Sequence, residues 1–597
     1  MARKKKTVFT YSKYQKDIFD FVKNGQGNAV VEASAGAGKS TTLIKCLDFI
    51  DEDKTILMSA FNTDIVSVLK RKTKDFTNVN CATLHSIGRT MLQRNYPKNE
   101  LTLDELKYKS YLNTNIKSLS SIDTYSLSKK DFGRYMKNIE TFVNFGRAYL
   151  CQTVKDLDII EDRYGIDTVA DEKEVALDVM EYGKTDLSKI DFTDMIWLPN
   201  VLFCKPIGMK YDWIMLDEVQ DLSVCQREII LKCRKINTRM ILVGDKKQCI
   251  FSFSSADPQS FEKLKDIPNT ITLPLSISYR CAENIVNFAK KLVPSIEPND
   301  DGRHGEIKYN TQIDDIQDGD MVLCRNNAPL MQVYVDLIKQ GKKCFIRGKD
   351  IGLNMKNAVK TTGMDTLNVK LDKDGVFVRL YDELFDAIND IMGKYNVTYA
   401  DAVETSFVAR KLDIIKALET LSNNINTSKE LIDKISDIFS DKKKGGISLS
   451  TIHKAKGLEA NNVYIVCNSL MPSEMAKKDW EIEQEYNLMY VAYTRAKNIL
   501  GFVDETNFET FKRNTNESVN HLKSIEFQIN KILKKERKKI DLSNPYVARD
   551  IIKHATKIEK INNNDKTKIL TNDTFISLPM SFEELLKNRQ NKKRLIK

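Results

Sequence analysis

The sequence predicts an α/β protein whose parallel sheets form two parts, each interrupted by a mainly helical insert. Short apolar stretches at 29–31, 54–59, 213–216 and 240–243 alternate with helix-like stretches, which is typical of parallel sheets. A second alternating region begins near residue 273, and two polar, helix-like regions interrupt the pattern. We therefore expect a first core at 1–91 and 191–274, its insert at 92–190, a second core at 275–354 and 441–510, its insert at 355–440, and a basic extension at 511–597.

The composition is that of an ordinary globular protein. Of the 597 residues, 42% are hydrophobic, which excludes a fully disordered or collagenous chain. No apolar run reaches the roughly 18 residues of a membrane span, and the basic start at 1–7 has no apolar stretch behind it. The 11 cysteines form no C-x-x-C pair, which indicates reduced thiols. We expect a cytoplasmic protein, in a bacterial or phage-host cytosol, with no membrane partner.

A glycine-rich turn follows the first predicted strand and opens a helix. It reads Ala33-Ser34-Ala35-Gly36-Ala37-Gly38-Lys39-Ser40. Small residues allow successive backbone N–H groups to surround a phosphate, and the helix N-terminus adds partial positive charge. We expect Lys39 to reach the β- and γ-phosphates of a nucleotide and the Ser40 hydroxyl to hold Mg²⁺. The strict pattern has glycine where this chain has Ala33.

Two acids follow the apolar stretch 213–216. Asp217 and Glu218 begin the run Asp217-Glu218-Val219-Gln220-Asp221, so both emerge at a predicted strand end, where open α/β sheets bind their ligands. We expect Asp217 to coordinate Mg²⁺ through a bound water and Glu218 to polarise the attacking water. Acids after a buried strand are common, but the phosphate-binding turn makes this pair a strong indication of a nucleotide hydrolase.

A third predicted strand, 241–243, leads to Gln248 and then to two phenylalanines. Gln248 is suited to sensing a γ-phosphate. Phe251 and Phe253 alternate with serines, so in an extended segment both rings point the same way. Exposed rings would stack on unpaired bases, worth about 1–3 kcal/mol per base. The alternative is that both are ordinary core residues.

These motifs resemble those of the superfamily 1A helicases, the UvrD/Rep/PcrA-like family. Further matches occur in the family's order between about residues 11 and 500. They are Gln15 ahead of the phosphate loop, Ala60-Phe61-Asn62, Thr83-Leu84-His85-Ser86, Asp191-Phe192-Thr193-Asp194-Met195, Ser278-Tyr279-Arg280, Leu323-Cys324-Arg325-Asn326, the segment from Thr451 through His453 to Glu459, and the segment 488–496 that contains Arg495.

The resemblance implies that ATP lies between two RecA-like cores. It implies adenine contacts for Gln15 and Tyr279, a γ-phosphate contact for Arg280, a ribose contact for Glu459, and an arginine that completes the site in Arg495. Thr41 stands where some relatives place an adenine-contacting arginine, so base selectivity is expected to rest on Gln15 and Tyr279. The implied catalytic residues are Lys39, Glu218, Gln248, Arg280 and Arg495, and the implied cofactors are ATP and Mg²⁺.

The resemblance also implies an ATP-dependent DNA helicase that moves 3′-to-5′ along single-stranded DNA. The implied DNA contacts are Phe61, Asn62, Thr83, His85, Phe251, Phe253, Thr451 and His453. Where the family has Tyr, Trp and Arg, this chain has Phe251, Phe253 and Ser254, which predicts weaker stacking and one lost phosphate contact. The expected partners are single-stranded DNA and single-/double-strand junctions, bound by a monomer. Alternatives are a translocase that strips bound proteins with little unwinding and an ATP-switched nucleic-acid-binding module.

The positive charge is concentrated at the end of the chain. The net charge is +11, and residues 531–597 carry 18 Lys and Arg against 8 Asp and Glu. Such a tail adds sequence-independent attraction to a polyanion. It is equally consistent with a solubilising extension.

Overall fold

The computed structural model describes residues 10–506 except 61–62, 169, 252–255, 258, 396, 404 and 440–444, together with 508, 522–530 and 533. The chain divides into two compact units, Met1–His304 and Gly305–Lys597. Among the described residues, no helix is long and apolar enough to cross a membrane. Nearly all of the predicted basic extension lies outside the described residues.

The first unit alternates strands and helices on either side of a helical region. Its strands are β1 (Asn28–Ala33), β2 (Ile56–Ser59), β3 (Val79–Cys81), β4 (Thr102–Leu103), β5 (Lys189–Ile190), β6 (Tyr211–Leu216), β7 (Arg234–Gly244), β8 (Thr270–Leu275), β9 (Ile277–Ser278) and β10 (Glu297–Pro298). Its helices are α1 (Lys13–Asn24), α2 (Lys39–Cys46), α3 (Thr63–Lys72), α4 (Leu84–Asn95), α5 (Lys107–Leu119), α6 (Lys129–Tyr149), α7 (Val154–Tyr164), α8 (Glu172–Thr185), α9 (Asp194–Val201), α10 (Val224–Lys232), α11 (Ser260–Lys265) and α12 (Glu283–Ala289).

The main sheet of the first unit is parallel, in the order β3-β2-β6-β7-β1-β8. Alternate side chains of its strands enter two different cores, because successive residues of a strand point to opposite faces. Val30 and Leu57 pack with α4, α9 and α10, whereas Val31 and Met58 pack with α1, α2 and α3. Helices therefore cover both faces, and the carboxyl ends of β1, β2, β6 and β7 meet at one edge of the sheet.

A buried ionic cluster ties the helical region to this sheet. The Arg147 guanidinium of α6 lies 2.8 Å from Asp191 and 3.0 Å from Asp194, at the start of α9. Lys107 of α5 lies 3.0 Å from Asp194 as well, and the Tyr108 hydroxyl donates to the same carboxylate. Buried charges of this kind are tolerated when each is paired. The segment 191–194, noted in the sequence for its family resemblance, thus anchors α5 and α6.

The second unit contains another parallel sheet, in the order β11-β16-β15-β12-β14-β13. Its strands are β11 (Glu306–Thr311), β12 (Met321–Cys324), β13 (Cys344–Ile346), β14 (Ile447–Thr451), β15 (Ala460–Val466) and β16 (Ala496–Val503). Its helices are α13 (Asn327–Lys339), α14 (Lys349–Thr361), α15 (Val376–Tyr395), α16 (Tyr399–Val403), α17 (Ser406–Leu421), α18 (Ser428–Ile438) and α19 (Asp479–Tyr493).

The predicted fold class is confirmed: two parallel sheets are present, and helices α5–α8 and α14–α18 occupy the regions expected to be helical. The first unit includes 275–304, where the backbone N–H of Tyr279 donates to the Gly36 carbonyl at 2.9 Å. The expected domain boundaries, which place 275–304 in the second core, remain predictions.

Candidate functional site

The glycine-rich turn joins β1 to α2 and uses glycine only where the backbone requires it. Gly36 has φ of 73° and Gly38 has φ of 81°, conformations that strain residues with a Cβ. Ala33 is instead the last residue of β1, pairs with Leu275 and is buried. Its departure from the strict pattern therefore has no conformational cost. Ser34, Ala35 and Ala37 are buried as well, which leaves the backbone to line the turn.

The segment 278–280 is packed against this turn. A Cβ on Gly36 would lie 2.5 Å from the Arg280 Cβ and 3.2 Å from the Arg280 backbone nitrogen. The segment is held from its other side by Arg303, whose guanidinium donates to the Tyr279 and Arg280 carbonyls at 2.9 and 3.3 Å. Arg280, predicted to contact a γ-phosphate, is thus beside the phosphate-binding turn.

Gly36→Ala is expected to weaken ATP binding at least tenfold and to lower stability. The left-handed backbone alone costs about 1–3 kcal/mol for a non-glycine residue, and the added methyl group collides with Arg280. Nucleotide titration and thermal unfolding measure the two effects. The matched control is Gly133→Ala in α6, where nothing lies within 4 Å; it should be neutral or stabilise by up to about 1 kcal/mol. Wild-type ATP affinity in Gly36→Ala would contradict the assignment of this turn.

Lys39 and Ser40 each contact one of the two acids that follow β6. The Lys39 ammonium lies 2.9 Å from the Glu218 carboxylate, and the Ser40 hydroxyl donates to Asp217 at 2.5 Å. The backbone of Glu218 has φ of 58°, a strained conformation for any residue other than glycine. Backbone strain of this kind is concentrated at functional sites. The structure therefore brings together the four residues predicted to bind phosphate, bind metal and activate water.

Burial and the neighbouring charges shift the pKa values of the ionisable groups in this cluster. Burial alone would lower the pKa of the Lys39 ammonium, but the Glu218 and Asp217 carboxylates outweigh burial and raise that pKa. Burial, reinforced by the Glu218 charge, raises the pKa of Asp217. Burial also raises the pKa of Asp245. The site thus carries more acidic groups than Lys39 can neutralise, which favours an additional cation.

Two amides extend the cluster to the next strand end. The Gln220 amide donates to Glu218 at 2.6 Å and its oxygen accepts the backbone N–H of Asp245 at 3.0 Å. The Gln248 amide in turn donates to the Asp245 carboxylate at 2.7 Å. Gln248 is therefore connected to Glu218 through two residues, Gln220 and Asp245, that the sequence analysis left without a role. Asp245 follows β7 just as Asp217 follows β6, and this repeated pattern was the available signal.

Gln15 and Tyr279, the predicted adenine contacts, lie together. The Tyr279 hydroxyl donates to the Gln15 side-chain oxygen at 3.3 Å. The Gln15 amide donates to the Thr42 hydroxyl at 3.0 Å, and Ser12 and Gln15 form a capping box that starts α1. This hydrogen bond connects α2 to Gln15 through Thr42, to which the sequence had given no role. Thr41, the neighbouring residue, is exposed.

The residues at the strand edge fit a magnesium ion that is shared with a nucleotide. Ser40 and Asp217 supply two oxygen ligands whose side chains already touch. Mg²⁺ usually keeps several waters and takes only one or two protein ligands beside the substrate phosphates. The described residues contain no group of three or more acidic, histidine or cysteine side chains arranged for a metal. Ser40 and Asp217 therefore fit an ion that is bound partly by phosphate oxygens, rather than one held entirely by protein side chains.

The predicted DNA contacts of the first unit are only partly described. Phe61, Asn62 and Phe253 lie outside the described residues. Thr83 caps α4 by accepting the backbone N–H of Ser86 at 3.2 Å, and burial lowers the pKa of His85 in the first turn. Phe251 is half-buried beyond Gln248. These roles remain predictions.

The second unit carries the remaining predicted residues near the ends of β14 and α19. Burial, with the nearby Arg325 and two lysines, lowers the pKa of His453 to about 3, so its ring is uncharged at neutral pH. Thr451 is buried at the end of β14. Arg495 is buried and donates to the Leu458 carbonyl at 3.2 Å, next to Glu459, which pairs with Lys497 at 2.7 Å. The segments 451–459 and 488–496 are therefore in contact within this unit.

The comparisons with known proteins agree with these motifs. Residues 14–268 match the UvrD/REP helicase N-terminal domain, and residues 370–506 match the UvrD-like helicase C-terminal domain. A probable DNA helicase II homolog of Mycoplasma pneumoniae is 23% identical over 598 residues, covering 80% of this chain and 82% of the relative. The F-box DNA helicase protein 1 of Schizosaccharomyces pombe is 25% identical, covering 49% of this chain and 34% of the relative. An ATP-dependent DNA helicase Rep of Buchnera aphidicola is 26% identical, covering 45% of this chain and 43% of the relative. The chain thus spans less than half of two of these three relatives.

Proposed function

We propose that this chain, which belongs to the UvrD/Rep-like helicase family, is an ATP-dependent DNA helicase that moves along single-stranded DNA. The observation that carries the proposal is the connected cluster at the carboxyl edge of the first sheet. There Lys39 contacts Glu218, Ser40 contacts Asp217, and two amides extend the cluster to Gln248. Family membership supports DNA as the substrate, and the 3′-to-5′ direction is part of the proposal.

Lys39 changes its partner when ATP binds. Without nucleotide its ammonium neutralises Glu218 at 2.9 Å, whereas a triphosphate offers several charged oxygens and stronger hydrogen bonds. Glu218 then keeps its bond to Gln220 and accepts the proton of the attacking water. The ion pair thus holds the base inactive until substrate arrives. Mg²⁺, held by Ser40 and Asp217, would neutralise charge on the phosphate oxygens.

Gln248 relays the state of the nucleotide to the DNA-facing segment. Its amide is joined to Glu218 through Asp245 and Gln220, and three residues later the chain reaches Phe251. A change at Glu218 during hydrolysis therefore alters hydrogen bonds that fix the start of the segment carrying Phe251 and Phe253. We propose that this relay makes ATP hydrolysis depend on bound DNA.

Gln248→Ala is expected to reduce the stimulation of ATP hydrolysis by single-stranded DNA about tenfold or more, while hydrolysis without DNA changes less. Loss of one charge-assisted hydrogen bond, about 1.5–3 kcal/mol, sets this magnitude. Steady-state hydrolysis with and without an unpaired oligonucleotide measures it. The control is Gln259→Ala, which changes an exposed glutamine at the start of α11 and should behave as wild type. Equal loss with and without DNA would refute the relay.

The other predicted residues keep their proposed roles. Arg280, Arg495 and Glu459 act on the nucleotide. Thr83, His85, Thr451 and His453 contact the DNA strand together with Phe61, Asn62, Phe251 and Phe253. Because the His453 ring is uncharged at neutral pH, it contributes hydrogen bonding or stacking rather than charge. Binding to single-/double-strand junctions and action as a monomer belong to the same proposal.

Strand separation tests the enzyme class directly. A labelled strand should be released from a partial duplex only with ATP and Mg²⁺, and a non-hydrolysable ATP analogue should bind without releasing it. Release with the analogue would contradict coupling to hydrolysis. Hydrolysis stimulated by DNA without strand release would favour the alternative of a translocase that displaces bound proteins.

A further inference from the structure

Residues 297–303, which we call the supporting segment, run beside 276–280 in the first unit. Strand β10 of the supporting segment pairs in parallel with β9. The backbone N–H of Glu297 also donates to the Ser276 carbonyl at 2.9 Å. The pairing of β9 with β10 ends at Ser278, so it does not include the residues that are proposed to contact ATP.

Arg303 continues the contact beyond the point where the strand pairing ends. Its guanidinium donates to the Tyr279 carbonyl at 2.9 Å and to the Arg280 carbonyl at 3.3 Å. Both backbone polar groups of Tyr279 are therefore occupied, because its N–H donates to the Gly36 carbonyl at 2.9 Å. The side chains proposed to contact adenine and the γ-phosphate thus start from a backbone that Arg303 holds against the phosphate-binding turn.

The Arg303 side chain is itself held in one orientation. The Asp301 carboxylate accepts the Arg303 Nε–H at 2.7 Å and the Arg303 backbone N–H at 3.1 Å. Each of the three guanidinium nitrogens therefore has an acceptor. A planar guanidinium makes such bonds at once, whereas a lysine ammonium is a point donor. The Arg303 carbonyl accepts the backbone N–H of Glu283 at 2.8 Å, which joins the supporting segment to the start of α12.

The supporting segment also contacts the helix that carries Gln15. The Tyr14 hydroxyl of α1 donates to the Glu297 carboxylate at 2.6 Å. Gln15 is the next residue of that helix, and its side-chain oxygen accepts the Tyr279 hydroxyl at 3.3 Å. Both predicted adenine contacts are therefore connected to the supporting segment, one at each of its ends.

We propose that Arg303 is a positioning residue for ATP, which places Tyr279 for the adenine and Arg280 for the γ-phosphate by holding their two carbonyls. The inference rests on the proposed function, which gives those two side chains their roles. Loss of Arg303 leaves every nucleotide contact chemically intact but less well ordered. Such disorder matters, because a displacement of about 1 Å in a group that holds a substrate costs about 100-fold in rate.

Competition against a fluorescent ATP analogue, at one Mg²⁺ concentration, measures the affinities for ATP, ADP and GTP. Arg303→Ala should reduce the preference for ATP over ADP, and that for ATP over GTP, each by about tenfold, the effect of one lost hydrogen bond to a charged group. Arg303→Lys should reduce both preferences less, because an ammonium still reaches one carbonyl.

The matched control is Arg134→Ala in α6. The Arg134 side chain is 38% exposed, against 37% for Arg303, and it likewise pairs with a nearby aspartate, Asp131, at 3.4 Å. Because this pair lies in the helical insert, Arg134→Ala should keep both nucleotide preferences of the wild type. If Arg303→Ala fails to fold, Arg303→Lys is measured against the same control and should show the smaller loss.

Arg280→Ala and Tyr279→Ala distinguish failure of this inference from failure of the proposed function. Arg280→Ala should abolish the preference for ATP over ADP, and Tyr279→Ala the preference for ATP over GTP. If neither does so, the nucleotide site is wrongly assigned and the inference fails with it. If both do so while the Arg303 variants keep wild-type preferences, the site stands and Arg303 does not position it. Equal weakening of all three nucleotides in the Arg303 variants would show a purely structural role and would also overturn the proposal.

Discussion

Glu218→Gln should reduce ATP hydrolysis roughly 100- to 10,000-fold, the contribution of a positioned general base, while ATP still binds. The substitution keeps the size of the side chain and an oxygen for the Gln220 amide, which donates to Glu218 at 2.6 Å. It removes the negative charge that pairs with Lys39. Because Lys39 no longer has to leave a carboxylate, ATP affinity should stay the same or increase. Single-turnover hydrolysis and nucleotide titration measure both quantities.

Glu32→Gln is the matched control for this carboxylate. Glu32 is exposed on β1 and pairs with Lys265 at 2.5 Å. Surface pairs of this kind contribute about 0–1 kcal/mol, so Glu32→Gln should hydrolyse ATP normally. If Glu218→Gln retained more than about a tenth of wild-type hydrolysis, another residue would have to be the base.

Lys39→Ala should reduce ATP hydrolysis roughly 100- to 1,000-fold, the cost of removing one preorganised donor from a developing charge. Unlike Glu218→Gln, it should also weaken ATP binding, since the ammonium contacts the phosphates before and during reaction. DNA binding should persist, because Lys39 contacts the acidic cluster at the strand edge and is not among the residues predicted to contact DNA. Hydrolysis assays and DNA titrations at one salt concentration distinguish the two activities.

Lys45→Ala serves as the control in the same helix. Lys45 pairs with Asp48 at the end of α2, away from the cluster. Its removal should leave hydrolysis and DNA binding unchanged. Wild-type hydrolysis in Lys39→Ala would show that the glycine-rich turn does not bind the reacting phosphates, and the assignment of the site would be wrong.

The site residues that the sequence could predict are those that directly follow a predicted strand. Asp217 and Gln248 each follow an apolar stretch, and parallel strands bring such positions to one edge. The sequence could not show that β7 lies between β6 and β1 in the sheet. That order brings Asp245 beside Gln220 and creates the link to Gln248. Contacts that depend on strand order are therefore the ones that the sequence analysis missed.

The segment 275–304 illustrates a different limit. Its motif, Ser278-Tyr279-Arg280, resembles the one that begins the second core of the family, and this resemblance is the reason for expecting the segment there. In the structure β8 extends the first sheet by pairing with β1, and Tyr279 then bonds to Gly36. A hydrogen bond to the phosphate-binding turn, which no periodicity reveals, holds Arg280 beside that turn. The buried Arg147 cluster is a similar case, since its partners are distant in sequence.

The most direct test of the account measures ATP hydrolysis with and without single-stranded DNA, alongside strand separation on duplexes with a 3′ or a 5′ overhang at the same salt. The account predicts strong stimulation by single-stranded DNA and release of the strand only from the 3′-tailed duplex. Hydrolysis that single-stranded DNA does not stimulate, with no strand released from either duplex, would contradict it and would favour an ATP-switched binding module.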